Sequence, residues 1–119
     1  MNEVMLEKAH DVGRLLGQTD EYKALKRARE RLNEDRETVE QVNTLAQLER
    51  DLQSQLQQGK EPSEEDRQQY EEVFSALQSG SIYQSLVAAQ SNFDRVLQRV
   101  NEEIGKGIEA GSQSSIIMP

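Results

Sequence analysis

The sequence has 119 residues and a mass of 13.6 kDa, with 22 acidic against 14 basic side chains and a formal net charge of −8. That length suits one domain; the lack of cysteine excludes a disulfide framework and thiolate metal or redox chemistry, and a single histidine, His10, excludes a multi-histidine metal site. No apolar run reaches the about 18 residues needed to cross a bilayer, and Met1-Asn2-Glu3-Val4 lacks the basic start and apolar stretch of a signal peptide, so a cytoplasmic location without membrane insertion is expected.

In chain order the elements all read as helix. Pro occurs only at 62 and 119, and Leu, Glu, Gln, Arg and Ala, all good helix formers, dominate. The first helix spans about Asn2 to Gly17, with Met5, Ala9, Val12 and Leu16 on one face. Thr19 and Asp20 offer cap oxygens for a second, about Glu21 to Asn33, whose apolar face is Tyr22, Leu25, Ala28 and Leu32. A kink or short turn is expected at Asn33-Glu34-Asp35, with Asp35 as the next cap. The third helix, about Arg36 to Gln58, carries a narrow seam of Val42, Leu45, Leu48, Leu52 and Leu56.

Gly59 suits the left-handed residue after a helix end, and Pro62 cannot continue a helix. Ser63 then caps a fourth helix with Glu64, Glu65 and Asp66 in its first turn, where the helix dipole favours acids; it runs to about Ser79 and buries Tyr70, Val73, Phe74 and Leu77. Gly80 stops it, and Ser81 with Gln84 fits a capping box for the fifth helix. The fifth helix carries the longest stripe: Ile82, Leu86, Ala89, Phe93, Val96, Val100 and Ile104, broadened by Leu97 and Ile108. By its rise it spans about 40 Å, more than a compact domain of this size, so it must project or pair with another long element. The expected architecture is all-α with about five helices. The two longest, 36–58 and 82–108, form an antiparallel hairpin, and residues left over on the fifth helix are covered in a homodimer. The predicted interface is Ile82, Leu86, Ala89, Phe93, Val96, Leu97, Val100 and Ile104. Residues 1–110 form one helical domain. Residues 111–119, opening Gly111-Ser112-Gln113-Ser114-Ser115, form a flexible tail whose end, Ile116 to Pro119, is either inert or a short docking motif.

The charge is localised. From Glu34 to Glu72 there are twelve acids against four bases, so this segment accounts for the whole net charge and the rest of the chain is neutral. Such a surface repels phosphate backbones, and direct nucleic-acid binding is not expected. A local basic cluster, Lys23, Lys26, Arg27, Arg29 and Arg31, reads mainly as a solvated face, with a small phosphate or acidic-partner contact as the sharper alternative.

No catalytic constellation emerges. His10 and Asp11 are adjacent, so on a helix they point about 100° apart and form no base–orienter couple. Glu64, Glu65 and Asp66 lack the histidines of a bundle di-metal site, Gly105-Lys106-Gly107 lacks the strand and spacing of a phosphate loop, and no serine triad can be built around His10 alone. No enzyme activity, cofactor or metal is therefore expected.

Three patterns carry a family resemblance: Glu21-Tyr22-Lys23-Ala24-Leu25-Lys26 running on to Asn33-Glu34-Asp35; Leu56-Gln57-Gln58-Gly59-Lys60 before a capped Glu65-Asp66 helix; and the run from Ile82-Tyr83-Gln84-Ser85-Leu86 through Phe93-Asp94-Arg95-Val96-Leu97 to Val100-Asn101-Glu102-Glu103-Ile104. Together, over about Val4 to Ile108, they resemble the YlbF/YheA/YmcA-like family of small bacterial helical proteins. The resemblance implies a self-associating cytoplasmic all-α protein. It also implies a regulatory role, in competence, sporulation or biofilm development, two Bacillus members acting with a membrane-bound endoribonuclease in messenger-RNA processing. Those two carry cysteines linked to iron–sulfur clusters; this chain has none and is more similar to the cysteine-free YheA branch. The function expected is a non-enzymatic regulatory adaptor acting through self-association and protein contacts, with a coiled-coil holdase-like chaperone or an RNA-processing accessory as the alternatives.

Overall fold

A computed structural model describes residues 2–117 and contains, among them, five α-helices and no strand: α1 (Glu3–Gly17), α2 (Asp20–Glu34), α3 (Arg36–Gln57), α4 (Glu64–Ser79) and α5 (Ser81–Ile117). The chain divides into two compact units: one takes in Met1–Leu25 and Ala89–Pro119, the other Lys26–Ala88. The boundaries thus fall inside α2 and inside α5.

Side chains at the termini explain where the helices start and stop. Asn2 Oδ1 accepts from the Val4 N–H at 2.9 Å and the Met5 N–H at 3.4 Å, capping α1. Thr19 caps α2, its hydroxyl oxygen accepting from the Tyr22 N–H at 3.1 Å while the hydroxyl donates to the Leu16 carbonyl at 2.7 Å. The expected break before α3 is a true turn of one residue. Asp35 adopts an extended conformation and its carboxylate accepts from both the backbone N–H and the hydroxyl of Thr38. These two bonds hold the Asp35 carboxyl below its ordinary pKa, the hydroxyl bond contributing most.

At the end of α3, Gly59 sits at φ +76°. The Gly59 N–H donates to the Leu56 carbonyl at 3.1 Å and the Lys60 N–H to the Gln55 carbonyl at 2.9 Å, a Schellman closure that needs the left-handed conformation. Ser63 caps α4 by accepting from the Asp66 N–H at 3.1 Å. The α4–α5 junction differs from the expected capping box. Gly80 is extended and its carbonyl accepts from the Gln84 N–H at 3.1 Å, so Gly80 holds the cap position and Ser81 is already helical. The Gln84 side chain reaches back to the Gln78 carbonyl at 2.9 Å instead of to a cap N–H.

In the unit of Lys26–Ala88, the close helix pair is α3 with α4. The expected hairpin of 36–58 with 82–108 runs across both units, and the pair formed within this one is α3 with α4. The six-residue connection through Gly59 and Pro62 reverses the chain directly, and closing a short loop costs less entropy than pairing distant segments. Leu45 and Leu48 of α3, Leu77 of α4 and Ala28 and Leu32 of α2 form its apolar core. Leu52 is half-buried, but Leu56, at the end of the expected seam, is 63% exposed. On α4, Tyr70 and Phe74 stack with ring centroids 5.9 Å apart, and the Tyr70 hydroxyl donates to Glu49 Oε1 of α3 at 3.2 Å. Burial, with the Glu49 carboxylate beside it, pushes the Tyr70 hydroxyl above its ordinary pKa.

The other unit has a thinner core. Leu25, 1% exposed, and Ala89 are its buried apolar side chains, and Tyr22 meets Phe93 edge-to-face at 5.3 Å and 64°. Helix α1 buries no residue at all. Helix α5 continues past the expected end at Ile108: Gly111 to Ile117, expected to begin the tail, extend it, while Met118 and Pro119 of the proposed end motif lie outside the described residues.

Candidate interaction surface

The surface begins with two facing stripes in the unit that holds α1. On α1, Val12, Leu15 and Leu16 recur at helical spacing; on α5, Val96, Val100 and Ile104 do the same. Between them lies an open groove of about 460 Å³, its walls almost wholly hydrocarbon, with Thr19 and Glu103 the polar groups lining it. The apolar character continues past the groove. Val4, Met5 and Leu6 lie exposed on α1, and Ile104 and Ile108 on α5 are 52% and 68% exposed. Of the nine large apolar side chains left exposed among the described residues, seven belong to this unit, and five of those are on α1. Isolated exposed apolar residues are ordinary; a contiguous set is what marks an interaction site.

The residues expected to form an interface fall into three groups. Val96, Val100 and Ile104 line the groove. Ala89 is in the chain's own core, and Phe93 is half-buried against Tyr22. Ile82, Leu86 and Leu97 are half-buried, the first two in the unit of α3 and α4. The α1 side of the groove, Leu15 above all, was not among them. Its signal was present in the sequence, since Leu15 follows Val12 by three residues, the same helical spacing that carries the α5 stripe.

Among the described residues no group of three or more His, Asp or Glu is placed to hold a metal ion. His10 is exposed on α1 beside Leu6, Glu7 and Asp11, and the nearby Asp11–Arg14 pair at 4.0 Å lies on the surface. A second hollow, about 310 Å³, lies along α3 and α4 between Leu48, Asp51, Leu52, Ser54, Gln55 and Asp66. The Gln55 amide donates to Asp66 Oδ2 at 3.4 Å, and its Oε1 is buried without a partner. Lys23, Lys26, Arg27 and Arg31 are exposed along α2. No helix of the described residues is long and apolar enough to cross a membrane.

The family model described as control of competence regulator ComK, YlbF/YmcA, matches residues 5–109. A UPF0342 protein of Staphylococcus saprophyticus is 26% identical over 105 residues, covering 88% of this chain and 92% of the relative. One from Alkalihalophilus pseudofirmus is 23% identical over 103 residues, covering 87% of each chain. Among solved structures, Bacillus subtilis RicA, determined in complex with RicF, matches with a TM-score of 0.76 at 16% identity, covering 93% of this chain and 99% of that one. A DUF964 protein of unknown function from Bacillus stearothermophilus matches at 0.68 and 16% identity, covering 90% and 94%. These structural likenesses establish the all-helical fold.

Proposed function

The chain belongs to the YlbF/YmcA family, and from that premise we propose that it is a non-enzymatic regulatory adaptor of the cytoplasm, working by self-association and by contact with a protein partner. The observation that carries this reading is α1, a helix with an apolar stripe and no buried residue. A helix that short is marginal in water by itself and draws its stability from packing its apolar face; here that face is left for another molecule. The family's description as control of a competence regulator supports a regulatory role. The solution of RicA as a complex with RicF supports protein contact as the means, at the level of the shared fold.

The test is co-purification from the native host of the tagged chain and of its Leu15→Glu variant. A defined protein recovered in stoichiometric amount with the parent and lost with the variant supports the adaptor reading. Stoichiometric recovery that Leu15→Glu leaves untouched, or no protein recovered with either, overturns it. The alternative of a holdase-like chaperone predicts instead suppression of aggregation for unrelated client proteins, with no defined partner.

A further inference from the structure

The hollow along α3 and α4 is rich in oxygen acceptors and short of donors. We infer that it takes the arginine side chain of a protein partner, with the guanidinium held between Asp51 and Asp66 and its stem lying on Leu48 and Leu52. The inference rests on the protein-contact reading and deepens it by naming the chemistry of the partner and a place where it is gripped.

The first argument is the lining. Asp51, Ser54 and Gln55 come from α3 and Asp66 from α4, while Leu48, buried, and Leu52, half-buried, make the apolar wall. No basic side chain lines the hollow. Among the described residues the ion pairs are Asp11–Arg14, Arg36–Glu40 and Glu103–Lys106, so neither aspartate is paired. Each also keeps an oxygen free of side-chain donors. Asp51 Oδ1 accepts from Gln47 Nε2 at 3.0 Å and Asp66 Oδ2 from Gln55 Nε2 at 3.4 Å, which leaves Asp51 Oδ2 and Asp66 Oδ1.

The second argument is Gln55. Its amide orientation is set by Asp66, because turning it over would bring Oε1 against the carboxylate. Oε1 is thereby left buried with no donor, and a buried acceptor without a partner is costly and rare. The bond that holds the amide is long, 3.4 Å against about 2.9–3.0 Å for the usual N–H···O. A cationic donor arriving at Asp66 takes the place of the Gln55 N–H and frees the amide to turn its oxygen toward the newcomer. The orphaned acceptor is then satisfied, which an apolar or acidic guest cannot achieve.

Charge and size choose the occupant. Residues 34–72 carry twelve acids and four bases, a field that draws cations. A volume of about 310 Å³ is at the small end of ligand pockets, which run from about 300 to 1,000 Å³, and suits one side chain. A hard metal ion needs about six or more oxygens converging on one point, and no group of three or more His, Asp or Glu among the described residues could hold one. A lysine ammonium is a strongly hydrated point charge, whereas guanidinium is planar, more weakly hydrated and spreads its donors along its edges. Acceptors on two helices beside an apolar wall match the guanidinium, and the methylene stem covers the wall.

The test is an NMR titration of the isotope-labelled full chain with the end-blocked peptide Gly-Gly-Arg-Gly-Gly, read at the Gln55 side-chain amide and the backbone N–H of Ser54 and Asp66. Saturable shifts are expected, and the lysine version of the peptide should bind at least fivefold more weakly. Asp66→Asn should weaken the arginine peptide about tenfold, the loss of one hydrogen bond to a charged group. Glu71→Gln, which removes a charge from α4 outside the hollow, should leave binding within twofold. Gln55→Met should weaken binding at least threefold with the urea midpoint unchanged or higher, an outcome that a purely structural Gln55 would not give. The inference is overturned by the absence of saturable shifts, by equal binding of the lysine peptide, or by equal losses in Asp66→Asn and Glu71→Gln. Displacement of the arginine peptide by calcium chloride, beyond that caused by sodium chloride of equal ionic strength, overturns it as well. Co-purification of the Asp66→Asn chain separates the sources: reduced recovery of the partner assigns the arginine to that protein, and undiminished recovery overturns the partner as its source. None of these outcomes decides the adaptor reading, which is tested by Leu15→Glu.

Discussion

Leu25→Ala tests the packing argument most directly. Leu25 is 1% exposed, the most deeply buried apolar side chain of the described residues. Truncation removes its branched end from a site that its neighbours can only partly refill, at a cost of about 3 kcal/mol within a range of 2–5. Stability of about 0.05–0.15 kcal/mol per residue gives about 6–18 kcal/mol for a chain of this length. Seven buried apolar residues among the described residues place this chain near the low end, so one methyl-bearing branch accounts for as much as half the total. In a thermal melt the same loss lowers Tm by about 12 °C, using about 2.1 cal/mol/K per residue for the unfolding entropy. Urea unfolding followed by circular dichroism, with the parent's m-value retained, measures it. The internal control is Leu56→Ala, chemically the same change at a site 63% exposed, with an expected cost within about 0.5 kcal/mol. If Leu56→Ala costs as much as Leu25→Ala, or if Leu25→Ala costs under about 1 kcal/mol, the assignment of core and surface is wrong.

Three further outcomes follow from the caps and the α3–α4 contact. Asp35, held below its ordinary pKa by Thr38, adds stability that is complete above the usual carboxylate range and is lost as pH falls through the lowered value. Asp35→Asn, which can still cap the helix, should flatten the acid limb of a stability–pH curve below about pH 4. Tyr70, pushed upward by burial and Glu49, adds stability that is complete below about pH 10 and is lost as pH rises through the raised value. Tyr70→Phe should flatten that alkaline limb in the same measurement. Gly59→Ala, at φ +76°, should destabilise by about 1 kcal/mol through the strained left-handed backbone, whereas Gly13→Ala on exposed α1 should stabilise by about the same amount in a urea titration.

Local chemistry was legible in the sequence wherever it is decided within a few residues. Asp35, Gly59 and Ser63 act where spacing placed them, because a cap needs only an oxygen or a tolerant φ at the helix end. The apolar faces of α2 and α4 also stand as read, with Leu25, Ala28, Leu32 and Leu77 buried. Pairing was less legible: periodicity shows that a face needs cover and is silent on what covers it, so the α3–α4 pair closed by the turn at Gly59 was not foreseen. The same limit applies to α1, whose one-face stripe gave no sign that the helix would bury no residue. The end of α5 was misplaced because Gly105, Gly107 and Gly111 lower helix propensity, which is only a weak prior in a long element.

The connectors divide the chain into stretches that can and cannot change length. Asp35 alone separates α2 from α3, and Gly80 alone separates α4 from α5. A residue added within either junction would separate a cap from the turn it closes, since Asp35 accepts from the Thr38 N–H three residues on and the Gly80 carbonyl from the Gln84 N–H four residues on. The segment from Gln58 to Ser63 has slack. Length changes compatible with this architecture are therefore better placed in that turn than at Asp35 or Gly80, where a single residue is both the connector and the cap of the helix that follows.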